Sequence, residues 1–324
     1  MKVKTIKFNS LFSKPLRYNI CVIFTLFAFI TFISGCTVYK GVGRKTKNIT
    51  RGFKERDEDM KKMIGMATFN NRTRFSDPNQ ETNFSETLIE NVQTSCSGVQ
   101  ILPSGAIGFP EFLGDLPKQV QGDIDNLELA KEGRPFGLNA VLTITLTGIN
   151  GFEEEKGIWW FKDTHYFIRT QIKVEMYDTE TAAKLLDEII SRDIEVESYD
   201  IELLKNQERL DVYQLEDAYE YFASTIAEKV CDAMTIQPWK GYILSVDGNK
   251  IILSSGETSG LASEQVLEVF DSSEIIQGKD GHRFFIPGPK TGEIKITAVY
   301  DDSAEAVIGT DSVVREGNLV KTKD

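Results

Sequence analysis

Apolar residues recur at helical spacing over two stretches of the chain. Phe84, Leu88, Val92 and Cys96 fall on one face with Glu86 and Glu90 off it, which predicts a helix from Asn83. Leu215, Tyr219, Phe222, Ile226, Val230 and Met234 mark a second amphipathic helix. Between them the period changes to two. Ala140, Leu142, Ile144 and Leu146 alternate with Val141, Thr143, Thr145 and Thr147. Ile168, Ile172, Val174 and Met176 alternate with Arg169, Gln171, Lys173 and Glu175, and Ile190, Ile194 and Val196 with Ser191, Asp193, Glu195 and Glu197. Three consecutive half-polar strands predict an antiparallel meander with one solvated face, the other covered by the second helix.

Short apolar runs at 63–67 and 99–102 read as strands, separated by the polar turn Phe69-Asn70-Asn71-Arg72-Thr73. A short helix around 124–131 is ended by Gly133, Pro135 and Gly137. Past Pro238 the helical period disappears. Residues 241–246 and 250–253 flank Asp247-Gly248-Asn249 as a hairpin, and strands follow at 266–270, 292–300, 304–308 and 319–321. So many short strands in 86 residues predict a small barrel. The fold class is therefore α+β: an antiparallel-rich mixed sheet with helices on one face over 61–238, then a small all-β barrel over 239–324.

The amino-terminal end has a different logic. Five basic residues and no acid lie in 1–35, and an apolar run over 20–33 ends at Ser34-Gly35. At about 14 residues the run is short of the roughly 20 that a spanning helix needs. Ile33-Ser34-Gly35-Cys36 resembles the lipobox of bacterial lipoproteins. That resemblance implies a signal peptide over 1–35, a lipid on Cys36 and membrane tethering through it; an uncleaved signal anchor is the alternative. Thr37 stands where lipoproteins retained in the inner membrane tend to carry Asp, which implies the inner leaflet of the outer membrane, facing the periplasm. Residues 36–60 read as a tether. Lys40, Arg44, Lys45, Lys47 and Arg51 in it lie on anionic headgroups or in water.

Removal of the signal segment takes the formal charge from −12 to −17. So acidic a body disfavours nucleic acid as a partner. An apolar fraction of 41% is ordinary for a folded chain.

The order of elements over 61–238 resembles the α/β domain shared by the TolB amino-terminal region, the curli-secretion lipoprotein, and the middle domain of flagellar assembly protein T. Phe69-Asn70-Asn71-Arg72-Thr73 resembles the group's F-x-N-x-T, Gly137 to Leu142 its helix-to-strand step, and Met176 to Thr181 its strand ending in D-x-x-T. Thr68 stands where a proline is common and Ala182 where a glycine usually follows. Gly241, Ile243, Gly248, Gly256, Gly260, Leu261 and Gly317 match the pattern of the carboxy-terminal domain of flagellar assembly protein T. Glu264-Gln265 and Gly317-Asn318 depart from its Gly-Asp pairs. The resemblance implies a non-enzymatic factor that binds and helps assemble an envelope machine, with the flagellar basal body as the partner complex.

Side-chain chemistry adds little to that. His165 and His282 fall in different domains, which offers neither a zinc site nor a catalytic triad. Glu153-Glu154-Glu155 lacks the staggered spacing of a calcium loop, and Gly278-Lys279-Asp280-Gly281 lacks the spacing of a phosphate loop. No catalytic residue, metal ligand or cofactor is expected. Cys96 and Cys231 are either bridged or packed as free thiols. Trp159, Trp160 and Phe161, in the connection between two strands, either contact a partner or fold back onto their own sheet. A curli-like pore is the alternative function. It needs a membrane-barrel hairpin, for which 148–169 is the candidate, and Glu153 to Lys156 suit it poorly. Self-association stays open.

Overall fold

A computed structural model describes residues 60–103, 108–206 and 212–323. The expected signal segment, Cys36 and residues 37–59 of the expected tether lie outside them. Among the described residues the fold is α+β, with four helices, a mixed sheet and a closed barrel.

The sheet is built from β1 (Lys62–Met66), β2 (Asn70–Asn71), β3 (Val99–Leu102), β4 (Leu138–Ile158), β5 (Phe161–Asp178) and β6 (Lys184–Val196), in the order β3-β1-β4-β5-β6 with β2 added beside β4. β1 runs parallel to both β3 and β4, and β4-β5-β6 is the antiparallel meander. Helix α1 (Pro78–Ser95) starts earlier than the periodicity predicts, because the Asp77 side chain caps the amide of Asn79 and Pro78 is preset for the first turn. It buries Phe84, Leu88 and Val92. Helix α2 (Asn126–Gly133) is capped by Asp125. α3 (Ser198–Lys205), which the sequence does not announce, and α4 (Val212–Thr235) complete the set.

α1, α3 and α4 share one core with the Ala140, Leu142, Ile144 and Leu146 face of β4. The opposite face is not solvated throughout, as alternation predicts. Val141 and Thr143 are buried there, because residues 109–137 fold back and place Leu113 and Leu129 against Leu138, Val141 and Tyr177. A bulge at Thr147 shifts the register between Leu146 and Gly148, so that Ile149, and not Gly148, returns to the core face. Cys96, at the end of α1, is disulfide-bonded to Cys231 of α4, with Cα atoms 5.7 Å apart.

The barrel strands are β7 (Gly241–Asp247), β8 (Lys250–Leu253), β9 (Val266–Phe270), β12 (Lys290–Val299), β13 (Ala304–Ile308) and β14 (Leu319–Thr322), closed in the order β12-β13-β8-β7-β14-β9. Between β9 and β12 a ribbon of β10 (Ile275–Gln277) and β11 (Arg283–Phe285) leaves the barrel and packs Phe285 against Leu127, Ala130 and Ala182. Gly278 to Gly281 is its turn. Met60, the last residue assigned to the tether, is buried inside the barrel with Trp239, Leu261 and Leu267. Apolar volume, and not chain order, decides its place.

Candidate functional site

The stretch 148–169 is the outer half of a hairpin. Apart from the bulge at Thr147, β4 and β5 stay paired from Ala140 opposite Asp178 to Ile158 opposite Phe161, whereas β6 accompanies β5 only as far as Tyr166. The last five pairs, Glu154 to Ile158 against Phe161 to His165, form a two-stranded arm of ~17 Å. Opposed residues share a face, so Glu154, Lys156, Asp163 and His165 lie on one side and Glu155, Lys162 and Thr164 on the other. Ion pairs lace the arm: Glu155 with Lys162 at 2.8 Å, Glu154 with Lys156 at 3.7 Å, and Glu153 with Lys205 at 3.3 Å. The hydrogen bond from Lys162 holds the Glu155 carboxyl below its usual range. At the base Phe152 stacks on Phe167, and Gly151 leaves room for Ile201 and Leu204 of α3, which a Cβ would crowd to 2.8 Å.

The tip inverts this composition. Ile158, Trp159, Trp160 and Phe161 are each 76–77% exposed. Trp159 meets Trp160 edge to face at 5.5 Å, and Trp160 meets Phe161 tilted at 6.2 Å. They do not fold back onto the sheet. Trp159 opens the two-residue turn with φ 56°, a conformation that hairpins of this length normally give to glycine or asparagine. A bulky indole is held there against the local backbone preference.

The other end of the same strands is a buried ionic junction with the barrel. Asp178 accepts from the amide and hydroxyl of Thr181 at 3.1 and 2.6 Å, which is the physical content of the D-x-x-T motif. Lys240, 1% exposed, pairs with Asp178 and with Glu180 at 3.4 Å, and Lys321 reaches Glu180 at 2.8 Å. Arg134 donates to the carbonyls of Thr179 and Glu180 at 3.0 and 2.9 Å and lies 3.7 Å over the Phe285 ring. Burial lowers its pKa. The Tyr242 hydroxyl meets Thr179 at 2.8 Å, and burial pushes its pKa above the phenol range. Asn139 ties both parts, accepting from Met63 N and donating to the Lys240 carbonyl. Gly137 turns into β4 with φ 66°, where a Cβ would meet the Ser254 carbonyl at 2.1 Å. None of Arg134, Lys240, Tyr242 or Lys321 is singled out by sequence. A lysine between Trp239 and the apolar Tyr242-Ile243 is the signal that was there to read.

The remaining candidates stay apart. His165 contacts Glu195 at 2.5 Å and holds that carboxyl below its usual range, while His282 lies beside Asn126. An open cleft of about 630 Å³ next to His165 is lined by Glu195, Glu197, Asp200 and Asp217. Among the described residues no group of three His, Cys, Asp or Glu is placed to hold a metal ion, and no helix is long and apolar enough to cross a membrane.

No family model matches the chain, and no curated protein matches it. Solved structures give low likenesses. The hypothetical protein CT253 from Chlamydia trachomatis is 14% identical with a TM-score of 0.31, over 53% of this chain and 99% of that one. Lipoprotein GNA1162 from Neisseria meningitidis is 15% identical at 0.26, over 45% and 94%. A PelC dodecamer from Paraburkholderia phytofirmans is 12% identical at 0.28, over 55% and 91%. Likenesses this low decide neither fold nor function.

Proposed function

We propose that the chain is a lipid-anchored envelope lipoprotein that works by binding, as an assembly or stabilising factor for an envelope machine. The lipobox-like Ile33 to Cys36 supports the anchor. The observation that carries the binding reading is the arm: an ion-paired ribbon that presents four bulky apolar side chains, with Trp159 strained at the turn. Such an element has no use inside its own fold and fits contact with something outside it. The flagellar basal body is the machine that the sequence resemblance names.

Two substitutions test the parts separately. Cys36→Ser leaves a folded chain that no longer labels with palmitate and no longer complements a knockout. Trp159→Ala with Trp160→Ala leaves labelling intact and also fails to complement. A knockout with normal motility and intact basal bodies removes the flagellar version, and crosslinking in native membranes with mass spectrometry then names the partner.

The hairpin also bears on the pore reading, since 148–169 is the long ribbon that such a protein needs. Its two faces argue the other way: a lipid-facing strand needs one apolar side, and both sides of the arm carry charge. Detergent-resistant rings that conduct in bilayers are the result that restores it.

A further inference from the structure

We propose that the arm's contact is a lipid surface: Ile158 to Phe161 dip into the headgroup region of a zwitterionic phospholipid bilayer. This rests on the reading of the hairpin as a contact element and names what it touches. Three observations carry it. The tip is convex, a turn and not a groove, and its four exposed apolar side chains are contiguous, so a yielding surface accepts them without a shaped pocket. Two adjacent indoles join an apolar body to an N–H donor, the combination that settles at membrane interfaces.

The third observation is the order of charges behind the tip. Lys162 and Lys156 come first, adjacent to Phe161 and two residues from Ile158, at the level where ammonium groups meet phosphates. Glu155, Asp163, Glu154 and Glu153 come behind them, on the water side. With four acids and two lysines the arm gains nothing from an anionic surface, which singles out zwitterionic lipid. Because both faces are charged, only the tip enters and the arm does not span.

The position of the tip relative to the tether gives this a geometry. The chain enters the described structure at Met60, beside the Leu138 end of β4, whereas the tip is the other end of that 21-residue strand, ~65 Å away. Residues 37–59 span at most ~80 Å. An anchor at Cys36 and a lipid-seated tip are therefore both within reach of one surface, and together hold the chain to it at two points. Two linked weak contacts bind far more firmly than either alone.

The experiment uses the chain's own tryptophans. Trp239 is fully buried, so any response to vesicles comes from Trp159 and Trp160. The full-length protein purified from its membranes is reconstituted into phosphatidylcholine vesicles, with and without brominated phosphatidylcholine. The proposal expects a blue-shifted emission and a roughly twofold or greater loss of tip fluorescence with the brominated lipid. Trp159→Ala with Trp160→Ala retains the Trp239 emission and the melting temperature but not the lipid response. A tip that stays water-exposed and freely quenched by iodide overturns the proposal, as does a response that appears only when phosphatidylglycerol is added. If the tip ignores lipid while the same double variant still fails to complement, the hairpin contacts a protein and the binding reading stands. If the variant complements fully, that reading falls as well.

Discussion

Strands β4 and β5 begin and end in opposite surroundings. Around Leu138 and Asp178 they are buried on both faces and fixed to the barrel by Arg134, Lys240, Tyr242 and Lys321. Around Ile158 and Phe161 they are paired only with each other and exposed on both faces. At the junction charged groups are inside and paired, whereas at the tip apolar groups are outside and uncovered. The fold is held together at the first place and only exposed at the second, so the two should separate under mutation.

The largest effect should come from the disulfide that joins α1 to α4. Opening Cys96–Cys231, by reduction or by paired serine substitution, releases a separation of 135 residues, for which the chain-entropy model gives a loss of up to ~5 kcal/mol. Urea melts with and without reductant measure it. Lys240→Met leaves Asp178 and Glu180 buried beside an apolar side chain and should cost about 3–5 kcal/mol. A smaller effect is expected at high pH. Burial holds the phenols of Tyr242 and Tyr177 protonated beyond their ordinary value of 10.0 and pushes Tyr219 up to about 12. The folded state therefore keeps protons that the unfolded chain releases. Their contribution is complete below pH 10 and is lost as pH rises through the raised values. Melting temperatures across that range check it, and Tyr242→Phe should shallow the decline. Least of all, Trp159→Ala with Trp160→Ala should change stability by no more than about 0.5 kcal/mol. A large loss there would make the tip part of the core and break the contrast.

The two ends were not equally legible. Helix α4 is readable because Leu215, Tyr219, Phe222, Ile226, Val230 and Met234 face one core, and burial on one side is what creates periodicity. The arm is unreadable for the converse reason: Glu154, Glu155 and Lys156 are exposed on both faces, so no alternation survives to announce a strand. The junction depends on partners far apart in the chain, such as Lys240 with Asp178 and Lys321 with Glu180, which no local pattern reports. Motif departures proved informative. Ala182 and Glu264, each standing where the resemblance expects glycine, adopt φ of 63° and 73°. The backbone keeps the left-handed turn although the residue that makes it easy is gone.

Met60 gives the molecule a mechanical character. A pull applied to the chain ahead of Met60 enters through a residue packed into the barrel core and passes at once into β1, which lies between β3 and β4 and is parallel to both. If the far end of β4 is held, tension between the two points runs along the strands. The ladder hydrogen bonds on both sides of β1 then resist together in shear, where a pull across the sheet would open them one after another.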